Sequence, residues 1–399
     1  MGLTLFRDYN TLHPSGLPRG DPHRSHRGTT MNSTNRIDRR TLLTATPALS
    51  VAIAGVSRAA EEENQLPKGI LRIGCLNVKA YSHLAASWAS IINPSDDEVR
   101  LTGMRITHCW DIDPEGAKGF AKSYGCEAVP HFEDMVGKVD GIINGGYYNH
   151  GWNHILHEPY LKAGLPNLIN RPFTNSRAKA GKMVETARKS GATILVPSAF
   201  EHNNAIAGAK AWATGKKLAS YYATNGADDY PTHGIHGVYM VFRSIVESGN
   251  PVVSVSYRAK SWHQAPGIMT FEHRDQEGRQ FFGTLDQTGG WGTIRIRADG
   301  APPRSFAIDP GNGYPYNKTQ VWAPSLWAFE RMARNRQMPQ SFDQILNKNN
   351  IFLAGWRSII ENEGNPVKLD DVPEDWATPI ELPNRPGDTT ASLFKRRFG

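Results

Sequence analysis

"VDGIINGGYYNHGWNHILHEPYLKAGLPNLINRPFTNS" runs from Val139 to Ser176 and decides the fold. It opens on a short apolar run, the form of a buried strand, and breaks at Gly145-Gly146. "HGWNHILHEPYLKAG" follows as a helix that Gly164 closes, and "PNLINRPF" (166–173) is a second buried strand. Two apolar strands joined through a helix form one parallel unit, because parallel neighbours need a crossover connection.

The same alternation extends in both directions. "GILRIGCLNV" (69–78), "MRITHCWDID" (104–113) and "ATILVPSA" (192–199) read as further strands. The intervening "HLAASWASIINP", "PEGAKGFAKSYG" and "SRAKAGKMVETARKSG" read as helices. Pro114 in a first turn and Gly125 at an end are helix signals. Five such strands predict a Rossmann-type, doubly wound parallel α/β sheet over 69–199.

In that architecture ligands lie beyond the carboxyl ends of the strands. Gly74 sits near the first end and Asp111 at the second. A glycine turn would let the backbone approach a pyrophosphate, and a carboxylate there would accept ribose hydroxyls. After Gly74 come Cys-Leu-Asn-Val-Lys-Ala, so the later glycines of GxGxxG are absent. Asn77 and Lys79 stand where phosphate would be met, and Gly145 gives close approach at the third strand's end.

From Phe200 the pattern changes. "NAIAGAKAWATG" is a helix, and "LASYYATNGADDYPTHG" leads into the helix "IHGVYMVFRSIVESG". β-type segments follow at 252–260, 268–275, 279–287, 292–300 and 305–309, then two closing helices. Alternation such as "TIRIR" suits an antiparallel sheet with one wet face. The second domain is therefore placed at 200–378, with an open antiparallel sheet and helices, and a tail at 379–399.

The front of the chain reads as an address. Arg39-Arg40 precede an apolar run from Leu42 to Val56, then "SRAA" and acids. Residues 1–60 are expected to be a leader with a twin-arginine signal peptide, directing export to the periplasm. That run is too short and too rich in Ala and Thr for a stable membrane span. Residues 1–59 carry eight Arg against three acids, so they supply +5 of the formal +7. The remainder, with 37 basic and 35 acidic residues, is near neutral. This argues against nucleic acid as a partner. Three cysteines without a CxxC argue against a disulfide framework.

The order of motifs resembles the glucose–fructose oxidoreductase / inositol dehydrogenase / rhizopine-catabolism (Gfo/Idh/MocA) family of NAD(P)-dependent oxidoreductases. "CWDIDPEGAKGFAKSYG", the Val139–Ser176 stretch, "THGIHGVYMVFRSI" and "MPQSFDQILNKNNIFLAGWRS" carry the likeness, over about residues 69 to 375. The resemblance implies NAD or NADP as cofactor and a sugar, cyclitol or related polyol as substrate. It also implies a homo-oligomer formed through the C-terminal sheet. It places His236 as the catalytic base, with Arg171 orienting; the family varies the residue type at His233, which is read here as a hydrogen-bond partner of the substrate. Gly74, Asn77, Asp111, Gly145, Tyr147, His154 and Pro172 fall at cofactor-binding positions. Two departures stand out: the family's Glu-Lys-Pro is Asn170-Arg171-Pro172, and Thr232 stands where an Asp precedes the helix histidine.

The residues leave other readings open for "YPTHGIHGVYMV" (230–241). His150, His154 and His157 share a helical face and, with His233 and His236, would suit zinc. No HExxH accompanies them, and no metal is assigned. The histidines would also serve as helix-start and packing residues. Tyr314, Tyr316 and Trp322 are candidates for lining a sugar cleft. The alternatives in function are an NAD-using glycoside hydrolase of the same fold and a catalytically silent nucleotide- or sugar-binding homologue.

Overall fold

The computed structural model describes residues 69–79, 82–147, 149–227, 229–261, 264–309, 311 and 316–378. The leader, the tail, Tyr148 and Tyr314 lie outside the described residues. The first half runs β1 (Leu71–Leu76), α1 (Leu84–Trp88, continued as Ala89–Ile92), β2 (Met104–Trp110), α2 (Pro114–Tyr124) and β3 (Glu127–Ala128). It continues with β4 (Gly141–Asn144), α3 (Asn153–Leu156), α4 (Glu158–Lys162), β5 (Pro166–Ile169), α5 (Arg177–Ser190) and β6 (Thr193–Leu195). The strands are ordered β3-β2-β1-β4-β5-β6, and every pairing is parallel. This is the expected doubly wound sheet, with a two-residue edge strand, β3, that apolar patterning is too coarse to reveal.

Local chemistry sets the helix ends. The Asp113 carboxylate accepts from the Glu115 and Gly116 amides, Pro114 fills the first turn, and Gly125 at φ +63° ends α2. Ser176 caps α5 in the same way, and Gly191 at φ +72° closes it. Caps of this kind contribute about 1 kcal/mol each. Gly74 lies inside β1 rather than in the turn after it. A Cβ there would stand 2.8 Å from Ile142 Cδ1 and 3.0 Å from Met135 Sδ, so this glycine serves strand packing. The left-handed turn position falls to Asn77 at φ +56°, which Asn tolerates better than most residues.

The second half runs α6 (Asn204–Ala213), β7 (Leu218–Thr224), a π turn (Tyr230–Gly234) leading into α7 (Ile235–Ser244), β8 (Val252–Ser261), β9 (Gln264–Arg274) and β10 (Gln280–Asp286). It ends with β11 (Thr293–Ala298), β12 (Ala301–Ala307), a π turn (Lys318–Trp322), α8 (Ala323–Asn335), α9 (Phe342–Glu361) and β13 (Val367–Lys368). The sheet order is β12-β11-β7-β10-β9-β8-β13. β7 pairs parallel to β10, and the other pairs are antiparallel. The expected antiparallel sheet is therefore mixed, because β7 inserts into its middle. Pro302 and Pro303 sit in β12, an edge strand, where a missing N–H is tolerated.

Burial alternates along β7, β10 and β11. The buried face joins Ile206, Val238, Phe352 and Trp356 in one core. A fully buried Ile or Phe contributes roughly 1.5–3 kcal/mol. α8 returns to the parallel sheet, where Leu326, Phe329 and Met332 pack with Ile73, Ile106 and Ile143. Glu330 anchors it by accepting the Gly103 amide at 3.0 Å on both carboxylate oxygens. The open face of the mixed sheet exposes Tyr222, Ile268 and Phe282.

Gly283 of β10 leaves room for Tyr221 of β7. A Cβ at 283 would lie 1.9 Å from the Tyr221 ring, which is itself buried and meets His273 at 2.9 Å through its hydroxyl. Gly283→Ala should lower the stability by about 3 kcal/mol through overpacking. Urea unfolding of the variant against the parent checks this; an unchanged midpoint would show that the strands spread freely.

Candidate active site

The carboxyl ends of β4 and β5 are joined by one buried asparagine. Asn144 Oδ1 accepts from Asn77 Nδ2 (3.0 Å), Asn149 Nδ2 (2.8 Å) and the Gly146 amide (3.1 Å). Its Nδ2 donates to Asn153 Oδ1 and to His157 Nε2, both at 3.1 Å. His157 Nε2 therefore carries the lone pair, and Nδ1–H donates to Asn167 Oδ1 at 2.8 Å. Asn153 in turn donates to the Pro172 and Phe173 carbonyls, and Asn170 Nδ2 donates to the Gly145 carbonyl at 2.8 Å. The network fixes the 171–173 turn, whose Arg171-Pro172 bond is cis.

That turn aims Arg171 at His236, on the first turn of α7. Arg171 Nη2 lies 2.7 Å from His236 Nε2, and Nη1 lies 3.2 Å from Asn170 Oδ1. A guanidinium only donates, so His236 Nε2 accepts and Nδ1 carries the proton. Nδ1–H then donates to Ser198 Oγ at 2.7 Å. Ser198 Oγ also accepts the Phe200 amide at 3.2 Å. Arg171, His236 and Ser198 are all buried. Burial, then the charges of Arg171, His83 and His233, hold the His236 imidazole well below the usual histidine range. It is neutral near pH 7, with its basic lone pair covered by a fixed cation.

Aromatic rings wall this pair. The Arg171 guanidinium lies 5.0 Å over the Tyr147 ring. Phe200 meets His236 at 5.2 Å between ring centroids. His83, ahead of α1, stacks on Trp88 at 4.9 Å and meets Tyr147 at 4.9 Å and Trp322 at 5.0 Å. Its ring lies 6.2 Å from that of His236. Burial, then Arg171 and His233, push His83 well below the usual range too. Its Nδ1 has no hydrogen-bond partner among the described residues. His83 and Ser198 were legible only as polar residues at a helix start and a strand end.

The other sequence candidates fall into two groups. Gly145 and Tyr147 join the Arg171–His236 pair. His233 stands beside it, half-exposed, with Nδ1 2.9 Å from Thr232 Oγ1 and 3.8 Å from Asp229 Oδ2. Asp229 is thus a carboxylate partner, three residues ahead of Thr232, and it serves His233 rather than His236. Burial alone would raise Asp229; His233 and the Thr232 hydrogen bonds hold it at about 2. His154 stands apart, with Lys179 and Lys182 as charged neighbours, and burial foremost lowers it to about 4. His157 is committed to the asparagine network, and the His150 ring lies 5.3 Å from Trp356. Among the described residues no group of three or more His, Cys, Asp or Glu is gathered for a metal. No helix among them is long and apolar enough to cross a membrane.

The β1 turn departs from a bare-backbone phosphate cradle. Buried Asp111 accepts the Lys79 amide at 2.9 Å and the Asp113 amide at 2.9 Å. Burial raises its pKa, and those amides oppose the rise. The Lys79 ammonium, half-exposed, pairs with Asp113. Gly145 and Gly146 admit no Cβ, but what they touch is protein: Ser82 Oγ at 2.3 Å and Asn149 Nδ2 at 2.0 Å from the added atoms. The His83 amide donates to the Gly145 carbonyl at 2.9 Å and draws the two turns together. A cation on a side chain, a buried acid at the second strand's end and a close glycine turn are what this chain offers a dinucleotide.

No protein-family model and no curated protein matches the sequence. Solved structures do match the fold. Myo-inositol dehydrogenase from Lactobacillus casei, in complex with NAD(H) and myo-inositol, aligns over 75% of this chain and 96% of its own, with TM-score 0.61 and 12% identity. A probable dehydrogenase from Thermotoga maritima aligns over 76% and 100%, with TM-score 0.59 and 14% identity. An oxidoreductase from Agrobacterium radiobacter, in complex with NAD+, L-tartaric acid and magnesium, aligns over 75% and 98%, with TM-score 0.56 and 14% identity. The chain has the fold of these oxidoreductases, as the four sequence motifs implied.

Buried histidines give the fold a pH signature. Burial foremost holds His157 and His273 at about 4 in the folded chain, against an ordinary 6.5. Between those values the unfolded chain binds more protons. Stability therefore rises with pH through the window and is lost as pH falls from 6.5 toward 4, by roughly 3 kcal/mol per histidine at the limit. Urea unfolding at pH 7 and pH 5 should show the loss, and His157→Gln should reduce it by one histidine's share; a pH-independent stability would refute it.

Proposed function

We propose that this chain is an NAD(P)-dependent oxidoreductase acting on a secondary hydroxyl of a cyclitol, sugar or related polyol. The observation that carries the reading is the buried Arg171–His236–Ser198 relay, at the carboxyl ends of a parallel sheet whose fold NAD-bound dehydrogenases share. Lys79 would meet the pyrophosphate and Asp111 the adenosine ribose, and this donor set fits the cofactor in charge and polarity. The His83–Gly145 contact would have to yield to admit it. When bound, the nicotinamide supplies the hydride acceptor or donor.

The chain's own residues handle the proton. A substrate hydroxyl that replaces the Arg171 N–H at His236 Nε2 would give up its proton there. Ser198 holds the opposite N–H, so the imidazole presents one defined lone pair. Arg171, released from Nε2 but always charged, then faces the oxygen and stabilises negative charge on it. A histidine of low basicity is a strong acid once protonated. Near pH 7, however, it stands neutral, the form that takes a proton from an alcohol.

Export by the twin-arginine route to the periplasm is proposed on Arg39-Arg40 and the apolar run behind them. A homo-oligomer through the open face of the mixed sheet is proposed on exposed Tyr222, Ile268 and Phe282. Light scattering of the parent and of Phe282→Lys tests the latter: an oligomer that dissociates in the variant is expected, and a monomeric parent removes the idea.

The central test adds NADH and NADPH and follows energy transfer from protein tryptophans. Turnover of myo-inositol and related polyols, or of their ketones, is followed at the nicotinamide band. Binding with turnover is expected, and His236→Gln should lower the rate by about 100-fold or more. Because His236 is held below its ordinary 6.5, the acid limb of the rate profile should lie under that value. Binding without turnover would point to a silent homologue, cleavage of aryl glycosides to a hydrolase, and no binding would sink the reading.

A further inference from the structure

We infer that Lys348 is a positioning residue for His236: it holds in one place the turn that carries Ser198 and the helix that carries His236. It rests on the reading of His236 as the acid/base group, but not on any particular substrate. Lys348 lies on α9 and is buried, and its ammonium has three acceptors. Nζ donates to the Val196 carbonyl at 2.9 Å, Glu201 Oε1 at 2.7 Å and Gln340 Oε1 at 2.7 Å. An ammonium has three N–H donors, so the count is complete.

Two of those acceptors bracket Ser198. Val196 precedes it, and Glu201 follows in the same turn, where the Glu201 amide donates to the Ser198 carbonyl at 3.2 Å. Ser325 Oγ donates to that carbonyl as well, at 3.3 Å. The ammonium also sits 4.2 Å over the ring of Tyr239, one turn along α7 from His236. Gln340 extends the hold: its Nε2 donates to Glu201 Oε1 and to Glu247 Oε1, both at 2.6 Å. Glu247 follows α7 and also takes Lys210 (2.7 Å) and Arg243. Strand end, serine turn, α7 and α9 thus meet on one buried charge.

The choice of a charge calls for a reason other than stability. A buried ion pair rarely adds net stability over a well-packed apolar group of equal volume. It does fix direction, because each N–H must find its acceptor or leave a costly orphan. Here the fixed directions end at Ser198 Oγ, the acceptor of the Nδ1–H that Arg171 imposes on His236. A shift of the 196–201 turn would lengthen the 2.7 Å Ser198–His236 bond, leave Nδ1–H without its acceptor and loosen the ring's orientation.

The test reads that hydrogen bond itself. Protein labelled with 15N-histidine gives long-range 15N–1H spectra, and His236→Gln identifies the His236 signals. The parent should show one form, protonated at Nδ1. Two variants are compared, both without substrate or nucleotide. Lys348→Met with Glu201→Gln removes the two charges together and keeps the volume. Lys348→Arg keeps the cation but replaces three divergent donors by a planar fork. Each variant that retains the parent's circular dichroism should keep the Nδ1–H form that Arg171 dictates but show its Nδ1–H proton moved upfield, as the bond to Ser198 lengthens. A folded variant whose Nδ1–H proton keeps the parent's position would overturn the inference, and if only one variant folds it decides alone. Because no turnover is measured, failure of the oxidoreductase reading leaves this result intact.

Discussion

The Asn144 side chain is the contact on which the site depends. Its oxygen takes three donors and its nitrogen serves two acceptors, all buried. An amide is suited to this because it both donates and accepts from adjacent atoms. A carboxylate in its place could not donate to Asn153 and His157, and a leucine would orphan several polar groups at once, at roughly 1–3 kcal/mol each. The ends of β1, β4 and β5 are thereby held at one level. The cis Arg171-Pro172 turn, reached through Asn153 and Asn170, inherits its position from them.

Arg171 sets the electrostatics of what that scaffold presents. Its charge does not titrate near neutral pH. It therefore lowers the basicity of both buried imidazoles beside it, His83 and His236, after burial has done most of the lowering. His233 is half-exposed and faces the Asp229 carboxylate. Three histidines within one cluster thus have different tasks, set by burial and by which charge each one sees. The aromatic faces of Tyr147, Trp88 and Trp322 supply the dry wall that keeps these charges strongly coupled.

Period and punctuation carried most of the fold. Five apolar runs became β1, β2, β4, β5 and β6 because short buried strands need little but apolar residues between turn signals. β3 escaped because two residues make no pattern, and β7 because Tyr221 and Tyr222 precede a helix and read as its approach. Gly74 reads as a turn glycine because its packing partner Ile142 is remote in sequence; burial by a distant strand leaves no local mark. Arg171 and His236 were both legible as candidates, but their bond joins residues 65 apart and only folding reveals it. Asp229 lies three residues ahead of Thr232, outside the position at which the motif carries its Asp. Lys348 gave no sign, since a lysine in a helix is ordinarily solvated.

The two departures at the strand ends have a common physical sense. In the β1 turn, Lys79 stands where a glycine would bare the backbone, and its ammonium is paired with Asp113. In the β5 turn, Arg171 stands where a titratable lysine would be expected. Each replaces an adaptable contact, open amides in one case and a transferable proton in the other, by a positive side chain. In the proposed reaction, proton transfer then cannot be shared with the β5 turn and falls to the imidazoles alone. That concentrates the demand on the geometry of His236: one ring, one lone pair and one serine must be correctly set. A site with such narrow tolerance gains most from a rigid surround, which is what a fully satisfied buried ammonium at Lys348 and a fully satisfied amide at Asn144 provide from its two sides.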